Sequence, residues 1–200
     1  STDSFYVGNT IGKYTSNCEQ AGEIVKHEYD SYIYNDNGEK TADNKKYCYV
    51  YLPYGYDETK QYNVMYLMHG GGASAESWIM ESEGNTTKNM LDTMIAEKEI
   101  EPLIVVCASF YYQNDQKNGG STKNFKYELK NDLMPSVEGQ YSTYANKITT
   151  RQAFIDSRDH RGFGGYSIAV NSLSHCAAVK QLAIKFEMFG ISAVERALAT

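Results

Sequence analysis

Residues 164–170 read Gly164-Gly165-Tyr166-Ser167-Ile168-Ala169-Val170. A serine with a glycine two positions before it and an alanine two positions after it has the spacing of a nucleophile elbow. There a strand turns sharply into a helix and pushes the hydroxyl into open space, and a side chain at either flanking position would crowd the turn. The chemistry this permits is acyl transfer through a covalent serine ester, provided that a base takes the hydroxyl proton and an acid orients the base. A second motif bears on the same chemistry. His69-Gly70-Gly71-Gly72 closes an apolar run, and glycines there let backbone N–H groups turn toward a ligand. Such a loop can donate to an oxyanion while the N–H after the serine supplies a second donor. A tight turn with a structural histidine explains the glycines equally well. The order of the two motifs, loop first and elbow later, favours the functional reading.

No histidine is placed by the sequence to serve Ser167. His160 sits in Asp156-Ser157-Arg158-Asp159-His160-Arg161, which holds the residue types of a triad but precedes the strand. Seven residues of extended chain put it roughly 23 Å from the serine, so the cluster reads as a structural salt-bridge and turn region. His175, if residues 168 onward are helical, lies two turns away, about 12 Å, whereas a base must come within about 3 Å. His27 falls on an early strand.

These groups need a scaffold. Residues 22–34 alternate apolar and polar and predict a strand, followed by a polar turn region over 35–46. Residues 47–57 predict a second strand, stopped by Pro53 and Gly55. Residues 62–72 and 102–110 are apolar without alternation, as strands buried on both faces are. Residues 85–99 place Met90, Leu91, Met94 and Ile95 at helical spacing. Residues 124–141 do the same with Phe125, Leu129, Leu133 and Val137, and Pro135 within them predicts a bend. A polar loop spans 111–123, and a short glycine-rich strand leads into the elbow. Alternating strands and helices predict an α/β sandwich with a mostly parallel central sheet, in a single domain.

The bulk numbers exclude several partners. A net charge of −6 and a pI near 5.3 provide no basic field for nucleic acid or an anionic membrane. No apolar run approaches the roughly 20 residues of a membrane span. The four cysteines, Cys18, Cys48, Cys107 and Cys176, show no CxxC spacing, which argues against a zinc knuckle or redox motif, and no metal is expected. Cys107 reads as a buried thiol. Pairing of Cys18 with Cys48 stays open, because sequence does not fix connectivity. All 18 tyrosines lie at or before Tyr166. Residues 168–200 are alanine-rich and helix-forming, with no convincing strand.

Several blocks in order, "YVYLPYGYD", "YNVMYLMHGGG", "EPLIVVCASF", "NDLMPSVEGQYSTYA" and "SRDHRGFGGYS", resemble the feruloyl esterases of carbohydrate esterase family 1, the esterase-D-like α/β-hydrolases of xylan-degrading systems. The resemblance covers roughly residues 20–167. It implies an α/β-hydrolase sandwich, hydrolysis of ferulate esters on arabinoxylan, no cofactor, and secretion. Carried over by motif, Ser167 is the nucleophile, the N–H of Ile168 is one oxyanion donor, and the loop around Gly71 and Gly72 gives the other. Trp78, Tyr111 and Tyr112, near the expected mouth, are candidates to stack on a phenolic ring or a sugar. Residues 168–200 depart from the family, which continues with further strands carrying the acid and a late histidine. The expectation is therefore a sheet lacking its C-terminal strands, an atypical tail, a crippled triad, and an exposed sheet edge prone to self-association. A non-catalytic relative that binds carbohydrate or phenolics is the alternative. An acetylxylan or other esterase-D-like esterase is another, since fold does not fix substrate.

Overall fold

A computed structural model describes residues 11–80, 86–165 and 167. Its centre is a five-stranded sheet built from β1 (Glu23–Tyr29), β4 (Lys46–Leu52), β5 (Asn63–Met68), β6 (Leu103–Ala108) and β7 (Arg161–Gly165), in the order β1-β4-β6-β5-β7. The strands β6, β5 and β7 are parallel neighbours, and β4 runs against both β6 and β1. Four of the five described strands therefore point the same way, with β4 reversed. The sheet is mixed in pairing and mostly parallel in direction.

One face of the sheet packs Val50, Val64, Tyr66, Met68, Ile104 and Val106 against a helical segment that contributes Phe125, Leu129, Leu133 and Val137. This is the apolar stripe that the sequence predicts. After a short first helix, α1 (Ile11–Thr15), the other face packs Tyr51, Val105 and Cys107 against α2 (Thr86–Ala96), through Leu91 and Ile95, and against Trp78 and Ile79. Covering on both sides explains why β5 and β6 show no polar alternation. The result is a three-layer arrangement of helix, sheet and helix.

Three sequence expectations need refinement. The strand expected over 22–34 stops at Tyr29. Tyr32–Tyr34 (β2) pairs instead with β3 (Lys40–Asp43) in a separate hairpin, because Asn35 accepts from the amides of Asn37 and Glu39 and turns the chain. The expected polar turn is thus partly a strand. The helix expected over 124–141 divides into α3 (Phe125–Glu128) and α4 (Met134–Gln140), with a widened π turn at Leu129–Leu133 between them. Met134 donates to the carbonyl five residues back, Leu129. Pro135 has no N–H to offer Asn131, and a π turn is one way a helix absorbs that loss. The open question of a Cys18–Cys48 pair is answered: both are free thiols, as is Cys107, and Cys48 and Cys107 are buried in the two cores. Burial pushes the Cys48 and Cys107 thiols up, so both stay protonated. The tail 168–200, Cys176 and His175 included, lies outside the described residues.

Candidate active site

The strand registers bring the two motifs to one end of the sheet. Met68 on β5 faces Ala108 on β6 and Gly165 on β7. The residues just beyond these positions, His69 to Gly72, Ser109 to Tyr111, and Ser167, therefore cluster at the carboxyl ends of three adjacent parallel strands. Crevices at such ends are where open α/β sheets bind ligands. Ser167 is exposed and left-handed, with φ 57°. A non-glycine residue there is strained, and such strain gathers at functional turns. It is the backbone expected of a serine pushed out of an elbow. On the strand before it, a Cβ on Gly164 would come within 2.7 Å of the Met65 methyl, which would have to move aside.

The histidine loop is tied into a closed circuit. His69 is fully buried. Its Nδ1 lies 2.7 Å from the Gly70 carbonyl oxygen, and its Nε2 lies 2.8 Å from Ser109 Oγ. A carbonyl can only accept, so Nδ1 carries the proton and Nε2 accepts from the Ser109 hydroxyl. Ser109 Oγ in turn accepts from the Tyr111 N–H at 3.1 Å, and the Tyr111 hydroxyl accepts from the Gly72 N–H at 2.9 Å. Burial, the largest effect, holds the His69 imidazole below its usual value against the pull of the Gly70 carbonyl, and the Lys46 charge lowers it a little further, so it stays neutral. The tautomer is thereby fixed by its neighbours.

This circuit decides which amide is left for a ligand. The Gly70 oxygen is held by His69 and by the Ala73 N–H. Across a trans peptide the Gly71 N–H points opposite to that oxygen, away from the histidine. Among the described residues it has no protein acceptor, whereas the Gly72 N–H already serves Tyr111. Gly72 contributes conformation instead: its φ is 78° with open space around a would-be Cβ, so only its backbone torsion demands glycine.

Beneath the loop is a buried ion pair that the sequence reading missed. Lys46 Nζ is 2.6 Å from Glu128 Oε1 and 2.5 Å from the Ser109 carbonyl oxygen. Glu128 also accepts from the Tyr29 hydroxyl at 2.8 Å. Burial raises the Glu128 carboxyl, and Lys46 pulls it back. The pair fixes the Ser109 turn, and through it His69. Lys46 reads in sequence as one of two lysines before a strand, and nothing local marks it as buried.

The proposed aromatic contacts are distributed differently. Tyr111 is buried, its ring packed on His69 and Phe110. Trp78 packs on the second core under the loop. Tyr112 is half-buried and opens a tight turn. Ile168 lies outside the described residues. The described histidines are all accounted for. His69 has both nitrogens engaged, His27 contacts Ser136 Oγ at 2.8 Å, and His160 lies at the opposite end of β7. Among the described residues no three His, Cys, Asp or Glu side chains gather as a metal site requires, and no helix is long and apolar enough to cross a membrane.

A mostly parallel sheet flanked by helices, with a strained serine and a glycine loop at the carboxyl ends of its strands, defines the α/β-hydrolase class. Residues 40–155 match the family described as "Putative esterase", and the chain belongs to that esterase family. It is 45% identical over 157 residues to endo-1,4-beta-xylanase Y of Acetivibrio thermocellus, an alignment covering 78% of this chain and 13% of that protein. It is 34% identical over 107 residues to the endo-1,4-beta-xylanase/feruloyl esterase of Xylanibacter ruminicola, covering 49% of this chain and 14% of that one. The structure matches a mutant of the feruloyl esterase module from Clostridium thermocellum complexed with sinapinate. There the TM-score is 0.70, with 37% identity over 86% of this chain and 54% of that chain. A CE1 ferulic acid esterase from Anaeromyces mucronatus shares the fold at TM-score 0.60 and 22% identity, over 87% of this chain and 60% of that one. The chain thus spans about half of the solved modules and a small part of the curated relatives.

Proposed function

We propose that this chain carries the nucleophile and oxyanion loop of a serine carboxylesterase that releases ferulate from feruloylated arabinoxylan. One observation carries the reading: Ser167, held left-handed at φ 57°, emerges beside a glycine loop whose Gly71 N–H is directed away from its own structural ties. The relatives named as feruloyl esterases support the substrate class. In this reaction Ser167 Oγ adds to the ester carbonyl carbon and its proton passes to a base. The carbonyl electrons move onto oxygen, which the Gly71 and Ile168 N–H groups stabilise. Collapse expels the sugar oxygen, which takes the proton back from the base. Water then repeats the addition, frees ferulate and restores the serine. The base is not among the described histidines. Without one, catalysis falls by orders of magnitude. The alternative is a protein that binds such esters without turning them over. Because the polymer does not enter cells, the proposal carries a secreted location.

Ethyl ferulate hydrolysis by this chain, beside Ser167→Ala, tests the reading. Turnover that disappears in the variant supports it. Ferulate binding, followed by its fluorescence, without turnover in either protein supports the binding relative. Neither turnover nor binding rejects both.

A further inference from the structure

Beside the oxyanion loop lies an open cleft of about 530 Å³, walled on one side by residues 72–74 and Ser77 and on the other by Asn114, Asp115 and Gln116. Its described lining includes no side chain larger or more apolar than Ala73 beyond these polar groups. A feruloyl ring would find no aliphatic or aromatic wall here. A sugar would find hydroxyl, amide and carboxylate partners at many angles.

The cleft is also rigid. Both walls are pinned to Tyr47 near the start of β4. Asn114 Oδ1 accepts from the Tyr47 N–H at 3.0 Å, and Asn114 Nδ2 donates to the Tyr47 carbonyl at 2.8 Å. Behind the other wall, Glu76, between the lining residues Ser74 and Ser77, accepts from the Tyr47 hydroxyl at 3.0 Å and the Tyr49 hydroxyl at 3.3 Å. Gln113 and Asn114 are consecutive left-handed residues, with φ 51° and 58°, and Asn44 accepts from the Gln113 N–H at 2.7 Å. The loop closes on itself through Tyr111 and Gly120. Two strained residues, one held by the Asn44 side chain and the other by the Tyr47 backbone, make a preformed wall rather than a floppy loop, and preformed sites lose less entropy on binding.

We infer that this cleft is the subsite for the sugar half of the ester, and that it takes a neutral, hydroxyl-rich pentosyl unit. The inference rests on the feruloyl-ester reading above and adds to it which half of the substrate lies here. Gln116 and Asp115 are its exposed contacts, and Gly72 joins it to the oxyanion loop.

The test uses the full chain with Ser167→Ala, so that nothing is consumed. Dissociation constants are measured by calorimetry for methyl ferulate and for a feruloylated arabinoxylo-oligosaccharide. The oligosaccharide is expected to bind about tenfold more tightly, the size of one or two good polar contacts. Adding Asp115→Ala and Gln116→Ala together is expected to bring that ratio to about one, with thermal unfolding run alongside to show that the variant is folded. As a second variant, Gln116→Trp fills the cleft while leaving the Asp115 carboxylate and its bond from the Lys117 N–H in place, and is expected to do the same. A ratio that survives both substitutions overturns the subsite. So does a parent that binds the two probes equally. If the parent binds neither probe, the feruloyl-ester reading itself fails, and this inference with it.

Discussion

The two ends of the parallel strands are built to opposite specifications. At their amino ends the buried charges among the described residues are closed upon partners. Arg161, the first residue of β7, forms a bidentate pair with Glu138, 2.7 Å from each carboxylate oxygen. Its remaining donors reach the Phe154 carbonyl and Ser157 Oγ, and Glu138 is completed by Tyr66 and Thr143. Nearby, His160 stacks on Tyr144 with ring centroids 3.4 Å apart and bonds Asn63. At their carboxyl ends the polar groups are also buried, but they are arranged to leave something over. Lys46 and Glu128 hold Ser109, Ser109 holds His69, His69 holds the Gly70 oxygen, and the Gly71 N–H points away from His69 without an acceptor among the described residues. The same residue types, a cation with a glutamate and a histidine, fasten the fold at one end and aim a peptide at the other. A triad-like string of residues is therefore no guide to chemistry. What distinguishes the ends is whether the network closes.

If the amino end is purely a fastening, breaking it should have the largest effect on stability. Arg161→Ala leaves Glu138 buried with its main partner gone, and removing one member of a buried pair costs about 3–5 kcal/mol. Urea unfolding should show that loss. A cost under about 1 kcal/mol would mean that water reaches Glu138 and that the end is less closed than its geometry implies.

The carboxyl end can be probed through pH. The folded protein holds His69 neutral, with its affinity for protons lowered below that of the unfolded chain. Below about pH 6.5 the unfolded state binds a proton that the folded state refuses, so stability is present above that value and falls as the solution is acidified. Each such group contributes up to about 1.4 kcal/mol per pH unit. His27, also lowered by burial, adds a similar slope. His69→Gln should be less stable at pH 7 yet lose less between pH 7 and pH 5 than the parent. An unchanged slope would place a proton on His69 in the folded state, and Nε2 could then no longer accept from the Ser109 hydroxyl.

How much of this contrast the sequence reveals depends on the range of the interaction. The apolar runs of β5 and β6 and the stripe Phe125, Leu129, Leu133 and Val137 are legible because burial on both faces, or on one helical face, leaves a local period. The structural character of His160 and Arg161 is legible because extended chain has a fixed reach. Lys46 and Glu128 are not, because 82 residues separate them and each looks like an ordinary surface charge. The cleft walls are not either. Asn114 and Glu76 meet through Tyr47, a contact that only the order of strands creates. Tyr111 is half legible: its place after β6 is clear, but its role in holding the Gly72 amide is visible only once β5 and β6 lie side by side.

The smallest expected effect bears on Ser167 itself. A β-carbon in the left-handed region costs roughly 1–2 kcal/mol, which glycine avoids, while glycine gives back about 0.5–1 kcal/mol through the freedom of its unfolded chain. Ser167→Gly should therefore be more stable than Ser167→Ala by about 0.5–1 kcal/mol, read as a difference in unfolding midpoints. Lys147, left-handed at φ 58° in a turn away from the site, supplies the control, and Lys147→Gly should exceed Lys147→Ala by a similar amount. Strain by itself then does not separate the two positions; what is lost with it does. Only at Ser167 should relief of strain remove ester turnover or change ferulate binding. If Ser167→Gly is no more stable than Ser167→Ala, the elbow is not strained, and the backbone no longer accounts for the outward hydroxyl.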